Sequence, residues 1–436
     1  MKFFFIQKKN IIFIFFLSLL MFFFGSYLIY NGHLYFYINP IRDHSDPLKS
    51  AIVFSDWKWL INSIKCFNLG EDIFFNNYCD IGKRPYIYGS SLLYFPLKEK
   101  FISLYFYIIP FSLIFLVSFF LNYFVKKKNF YDYLIIFFIF FSTPVMLGLE
   151  RGNFEIVIFF LIIVISLFKN FFIVNSLILL LSSFKYYPAI LLAINFISKI
   201  NLKLIIGILF FTLAILIVFY IDKHEITRLI ERKNIILPNN VERVGMYIFS
   251  FYVLPELIKS TMLELNIFNE NIGYNICLYL SLLIFFYALL KIFIFDKNYE
   301  NQENFKINKF EDRLFFLCSL VLITIYFFMM NYIYKEIFLL GLIPYLQKDD
   351  LYIKNKTFKI IYYLIICKFI LLTILWIIQT TLFSTSIYIK GFNIMCKGVL
   401  DFTLMYFIFI EFLKIIKMGL LINYNSIKKV ELFGLK

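Results

Sequence analysis

Residues 137–165 read FFIFFSTPVM, LGLERGNFE, IVIFFLIIVI, and the middle block, Leu147 to Glu155, decides how the chain must fold. It sets Glu150, Arg151, Asn153 and Glu155 between two apolar runs. A charged side chain in hydrocarbon costs about 3 kcal/mol or more, so such a cluster belongs at a membrane boundary or in a cavity. A short polar turn joining two membrane helices satisfies that requirement, and so does one wall of a binding site. Two carboxylates, a guanidinium and an amide so close together exceed what a turn needs. Arg151 also has Glu150 and Glu155 beside it as local partners. Asn153 and Glu155 are placed to fix the start of the helix that follows.

The composition around this block is that of a membrane protein. The 436 residues are 61% hydrophobic and only 16% charged, with a mean hydropathy of +0.81. Apolar runs of about 18 residues or more recur from end to end, which makes the chain an all-α polytopic membrane protein. The 61 Phe residues, with many Ile, Asn and Lys, reflect a general bias, so aromatic stripes carry no argument for stacking sites. The net charge of +15 does not point to nucleic acid. The bases fall in short clusters between apolar runs, the pattern of cytoplasmic loops.

Taken in order, the chain reads as one integral-membrane domain over residues 1–436, with no internal repeat and no soluble domain. A first, uncleaved helix over residues 11–30 leads outward to a large polar loop, residues 31–100. Within that loop FSDWKWLINSIKCFNLG has near-helical apolar spacing and predicts a helix lying on the membrane surface. Phe101 to Val125 returns to Lys126, Lys127 and Lys128, the strongest mark of an inner side. Several following segments, among them 156–168, 171–184 and 187–197, fall well short of the roughly 20 residues a full span requires. Short helices of this kind line cavities at membrane depth.

A second outer segment, residues 222–262, carries Arg228, Arg232, Lys233 and Arg243, a run that fits a solvated or headgroup-facing surface. The last two spans fall near residues 358–380 and 399–418. The total is about twelve transmembrane or partial-depth helices. Lysine clusters at 126–128, 169, 199–203, 291–313, 348–359 and 414–429 then all lie inside. Both termini are expected in the cytoplasm, with the protein in the cell (inner) membrane.

Four polar clusters share the outer face in this topology. They are the first loop with Asp56, the Glu150–Glu155 knot, Lys185-Tyr186-Tyr187-Pro188, and the knot from Tyr332 to Glu336. A carboxylate within reach of a hydroxyl can serve as general base, and buried cations can hold a phosphate leaving group. Asp56 admits a second role, because Ser55 and Asp56 are good residues for starting a helix at Trp57. Lys185 at a helix end can equally snorkel to the interface.

Cys66 and Cys79 share the first outer loop and form a disulfide candidate, with two free thiols as the alternative. Cys277, Cys318 and Cys367 lie in apolar runs, as inert core cysteines do. No metal-binding pattern is present in the sequence, and no cofactor is expected.

The order of these features resembles the GT-C type integral-membrane glycosyltransferases, nearest to family 87, the polyprenyl-phosphomannose-dependent mannosyltransferase-like proteins. The residues that carry the resemblance are Asp56 and Leu69-Gly70-Glu71-Asp72-Ile73-Phe74 in the first loop, Arg151-Gly152-Asn153, and Lys185-Tyr186-Tyr187-Pro188. Tyr334-Lys335-Glu336-Ile337-Phe338-Leu339, leading to Ile343-Pro344, completes the set. The resemblance implies a GT-C-like bundle and a polyprenyl-phosphate sugar as donor substrate. It further implies a glycan or lipid acceptor and Asp56 as general base. The expected substrate-binding residues are Glu150, Arg151, Asn153, Glu155, Lys185, Tyr186, Tyr334 and Lys335. Where the pattern has an arginine this chain has Lys335, which meets phosphate as a point charge rather than a fork. A transporter or flippase, or an O-antigen-type polymerase or ligase for lipid-linked saccharides, is the alternative. Apart from these substrates, the lipid bilayer is the expected partner.

Overall fold

The computed structural model describes residues 8–30, 53–74, 77–79, 86–96, 101–125, 130–197, 202–223, 227, 248–264, 270–295, 309–328, 331–347, 356–381 and 387–434. Lys126, Lys127, Lys128, Arg228, Arg232, Lys233 and Arg243 lie outside them. Among the described residues the regular structure is helical apart from one antiparallel pair of two-residue strands, β1 (Ile248–Phe249) and β2 (Asn331–Tyr332).

In order, the chain forms α1 (Lys8–Tyr30), α2 (Ser55–Asn68), a 3-10 turn (Ser90–Tyr94), α3 (Ile102–Phe124), α4 (Phe130–Phe140) and α5 (Thr143–Arg151). Then come α6 (Phe154–Leu167), α7 (Phe171–Phe184), a 3-10 helix (Tyr187–Ile197) and α8 (Leu202–Ile221). The second half holds β1, α9 (Val253–Glu264), α10 (Glu270–Leu290) with a π-turn (Lys291–Phe295), α11 (Phe310–Phe328) and β2. A 3-10 helix (Ile333–Leu342), a one-turn helix α12 (Ile343–Leu346), α13 (Lys356–Thr381) and α14 (Ile387–Gly434) complete it.

Among the described residues, five helices are long and apolar enough to cross a membrane: 11–29, 104–124, 204–221, 271–294 and 356–374. A sixth crossing forms if α4 and α5, bent by 47° at their junction, count as one. The bend falls where Ser142 and Pro144 interrupt the apolar run, because proline can open a helix but cannot continue one. The remaining segments of the expected set are shorter, α6 and α7 having 14 residues each and Tyr187–Ile197 having 11. α11 and α14 are long enough to span but carry charges, Glu311, Asp312 and Arg313 on the first and Lys397, Asp401 and Glu411 on the second.

α14 is far longer than the span read from residues 399–418. Its 48 residues extend about 70 Å at 1.5 Å per residue. The helix expected in the first loop forms as α2. It buries Asp56, Trp57, Trp59, Leu60, Ile61, Ser63, Ile64 and Cys66, and it packs on α3 and the Ser90–Tyr94 turn.

The bundle is layered from lipid-facing to closed. α1, α8 and α10 expose Phe16, Leu209, Phe210, Leu283 and Phe286 along their lengths, as helices facing hydrocarbon do. At the centre, α11 and Ile333–Leu342 pack on each other and on α5, α6 and the Tyr187–Ile197 helix. In Ile333–Leu342 every residue except Tyr334 is buried.

That central segment carries Glu336 into a closed group of four charges. Lys368 Nζ lies 2.9 Å from Glu336 and also donates to Asp401, and Lys397 Nζ lies 3.6 Å from Glu336 and donates to Asp401. All four side chains are essentially without solvent exposure. Two ammonium groups and two carboxylates sum to zero, which offsets much of the several kcal/mol needed to strip each ion of water. The group pins Ile333–Leu342 to α13 and α14.

Removing one partner leaves a buried charge uncompensated, at a cost of about 3–5 kcal/mol. Glu336→Gln is therefore expected to lower the thermal transition of the detergent-solubilised protein sharply. Adding Lys397→Met to it restores neutrality and recovers much of the loss. A single variant as stable as the parent would show that the four charges do not hold this junction.

Candidate functional site

The cleft is built where α2 meets the turn between α5 and α6. α5 ends at Arg151, and Gly152 follows with φ +59°, closing the helix in the left-handed conformation that favours glycine. A Cβ at Gly152 would stand 2.9 Å from the Cβ of Trp57, so the turn and α2 touch through a position that admits no side chain. Asn153 then caps α6, its Oδ1 accepting from the backbone N–H of Glu155 at 3.0 Å, and Glu155 sits in the first helical turn. The chain enters α2 through Phe54, a non-glycine residue at φ 61° whose N–H donates to the carbonyl of Glu150 at 2.8 Å.

Asp56 lies in the first turn of α2, but its side chain does not cap the helix. Its carboxylate is turned instead to the α5–α6 turn. Arg151 Nη2 donates to Oδ1 at 2.6 Å, Arg151 Nε donates to Oδ2 at 2.8 Å, and Asn153 Nδ2 donates to Oδ2 at 2.7 Å. Arg151 therefore pairs across the chain with Asp56. The fork geometry matches the carboxylate bidentately, the stronger form of such a pair.

Glu155 is fully buried and gathers the other cations. Lys185 Nζ lies 2.5 Å from Oε1 and Lys335 Nζ lies 3.5 Å from the same oxygen, while the Tyr187 hydroxyl donates to Oε2. Aromatic faces flank these ammonium groups, Lys185 over Tyr88 at 5.1 Å and Lys335 over Tyr187 at 5.3 Å, an arrangement that favours cations. Lys185 thus points inward to a carboxylate rather than snorkelling to the interface. Tyr334, on the central segment, interacts electrostatically with Asp56, Arg151 and Glu155, and so joins the two groups.

The structure brings Asp56, Arg151, Asn153, Glu155, Lys185, Tyr334 and Lys335 together. Glu150 is buried beside them and contributes its backbone carbonyl. Tyr186 is turned elsewhere. Its hydroxyl donates to Asp222 at 3.1 Å, and Asp222 also accepts from the backbone N–H of Ser90 at 3.3 Å and from the Ser90 hydroxyl.

This second junction straps residues 86–94 onto the end of α7. The Gly89 N–H donates to the Phe184 carbonyl at 2.8 Å, and a Cβ on Gly89 would lie 2.0 Å from the Ser183 carbonyl oxygen. Burial, with Tyr186 and Asp222 nearby, pushes the Tyr86 phenol well above its ordinary value. It stays protonated and donates to the Gly89 carbonyl at 3.1 Å. The strap delivers Tyr88, whose ring packs edge-on against Phe154. Cys66 and Cys79 are joined as a disulfide with Cα atoms 6.2 Å apart, within the usual range, and close the loop after α2.

Sequence reasoning missed Tyr88, Tyr187 and Asp222 as members of these groups, and the four-charge group as a whole. For that group a signal exists. Lys368 interrupts an apolar run, and Lys397 and Asp401 stand four residues apart on one helix face. Among the described residues no group of three or more His, Cys, Asp or Glu side chains is placed to hold a metal ion.

Comparison with protein-family models, curated proteins and solved structures finds no match for this chain. The chemistry of the cleft is thus read from its own residues. Three cations face two carboxylates in two adjoining groups, with Arg151 and Lys185 each retaining 16% side-chain exposure. Such a set is fitted to hold an anionic group next to a carboxylate.

Gly152→Ala is expected to destabilise the protein by about 1–3 kcal/mol, from the left-handed backbone and the displaced Trp57 together. Thermal unfolding in detergent measures it. An unchanged transition would mean that α2 and the α5–α6 turn are not held in this contact.

Proposed function

We propose that this protein is a membrane glycosyltransferase that moves a sugar from a polyprenyl-phosphate-linked donor to an acceptor hydroxyl on the outer face of the membrane. What supports this reading is the convergence of four residues far apart in the chain, Asp56, Arg151, Lys185 and Lys335, on one cleft. The order of the motifs along the sequence, similar to that of GT-C family 87, supports it independently.

In this reading Arg151, Lys185 and Lys335 hold the donor phosphate and stabilise the charge that grows on it as the sugar leaves. Asp56 takes the proton of the acceptor hydroxyl as that oxygen attacks the sugar carbon. Tyr334 and Tyr88 line the space between. The bundle comprises about twelve transmembrane or partial-depth helices with a GT-C-like arrangement. It sits in the cell membrane with both termini cytoplasmic and the first loop outside.

Transport of a lipid-linked solute is the second reading. The 47° break between α4 and α5 and the buried group around Glu336 favour it, because broken helices and intramembrane charges mark substrate pathways. Movement of lipid-linked sugar across proteoliposomes without transfer to any acceptor would select it.

Asp56→Asn is expected to lower sugar transfer by about 10²–10⁴-fold, the usual contribution of a general base, measured on the membrane-inserted variant at a temperature where it remains folded. Full activity of that variant removes Asp56 as base. For the topology, a cysteine introduced as Lys127→Cys is expected to react with impermeant maleimide from the cytoplasmic side alone. Labelling from outside would invert the assignment of faces.

A further inference from the structure

The ligands of Asp56 raise a difficulty for its use as a base, and the difficulty points to how the cleft is controlled. Two donors of Arg151 and one of Asn153 occupy the carboxylate, and both oxygens are engaged. Three donors hold a group with about four lone-pair sites, which lowers its readiness to take a proton. Arg151 is in the reciprocal position, because its Nε–Nη2 edge is spent on Asp56. The same holds beside it, where Lys185 and Lys335 both rest on Glu155 Oε1.

In the cleft as it stands, internal carboxylates occupy the cations that a ligand phosphate would need. The Asp56–Arg151 pair is nonetheless not sealed, since the Arg151 side chain keeps 16% of its exposure. The pair inside the closed group, Lys368 with Asp401, keeps essentially none.

We propose that Asp56 is an internal competitor for the anion site, holding Arg151 while the cleft is empty and yielding it to the phosphate of a bound polyprenyl phosphate. This proposal rests on the outer-face phosphate site argued above and adds its order of events. A phosphate offers the guanidinium the same bidentate geometry as a carboxylate, with more oxygens and charge spread over them. Arg151 can therefore turn from Asp56 to the ligand without losing its bonds. Asp56 keeps Asn153 and recovers lone pairs that face the cleft. The carboxylate becomes available only when the donor is in place, so an empty cleft holds no free base to activate water.

Competition of this kind makes a counter-intuitive demand, that removing the carboxylate strengthens phosphate binding while it abolishes transfer. The experiment uses the full-length protein in phosphatidylcholine nanodiscs, titrated with polyprenyl phosphate. Asp56→Asn is expected to bind it about tenfold more tightly than the parent, a shift of about 1.4 kcal/mol. Arg151→Gln is expected to bind it more weakly, and the gain disappears in the Asp56→Asn/Arg151→Gln pair. Equal or weaker binding by folded Asp56→Asn overturns the proposal, as does an equal gain for uncharged polyprenol.

If Asp56→Asn does not fold, Asp56→Ser replaces it and retains a residue suited to a helix start. Labelling of the parent by a hydrophobic carbodiimide then reads the same competition without a variant. Modification of Asp56 is expected to rise when polyprenyl phosphate is added, and no rise overturns the proposal. A parent that transfers sugar, with Asp56→Asn not tighter, ends the competition and leaves the transferase reading intact. Conversely, a parent that binds inorganic phosphate with this dependence on Asp56, yet ignores polyprenyl phosphate, ends the lipid-donor reading and leaves the competition standing.

Discussion

A charge taken out of water has to be compensated within a few ångströms, and the segment Ile333–Leu342 meets that requirement twice in consecutive residues. Lys335 turns to Glu155 on α6, and Glu336 turns to Lys368 and Lys397 on α13 and α14. Successive residues of a 3-10 helix point about 120° apart, so one short segment can serve two different partners. Rotating or sliding it would break both groups together, at several kcal/mol for each stranded ion. The segment also carries Tyr334, whose phenol is pushed up by burial first and then by Asp56 and Glu155 nearby. The geometry of the candidate site therefore depends on an ion-pair group that does not line it.

The first loop is bound to this scaffold by contacts of several kinds at one place. Phe54 gives a backbone hydrogen bond to the end of α5, Asp56 an ion pair to Arg151, and Trp57 a stacked ring to Phe154 at 6.3 Å between centroids. The Trp57 indole donates to the Tyr105 carbonyl on α3 at 3.0 Å. Three neighbouring residues thus meet α3, α5 and α6, while the Cys66–Cys79 disulfide holds the chain after α2. A loop so anchored behaves as part of the bundle. That is why α2 is buried along one face.

Much of this was legible in the sequence where local chemistry decides it. The apolar run from Phe171 to Phe184 ends where Lys185 begins, and the helix ends there too. Asn153 sits where a cap belongs, and it caps. Reading by neighbourhood failed for Arg151, flanked by Glu150 and Glu155 but bonded to a carboxylate 95 positions away. The same limit hid the group around Glu336, whose members come from three elements. Pattern and hydropathy describe a residue's own surroundings, whereas ion pairs of this range exist only once the bundle has closed. The expectation of about twelve membrane segments met a related limit. Length and hydropathy single out the lipid-facing helices, and the central ones are either short or charged because protein surrounds them.

The two charged groups share one chemistry and differ in what surrounds them, and that difference separates a structural junction from a site. Around Glu336 the charges balance within the group and no side chain of the four reaches solvent. In the cleft, Asp56 and Glu155 face Arg151, Lys185 and Lys335, and two of those cations remain partly exposed. A site for an anion in an apolar bundle cannot leave its cations bare when empty, because their desolvation would unfold it. Carboxylates that can be exchanged for the ligand solve this problem. Asp56, paired with the partly exposed Arg151 of the turn it docks against, is the one placed to be exchanged, while the fully buried Glu155 keeps the two lysines in register.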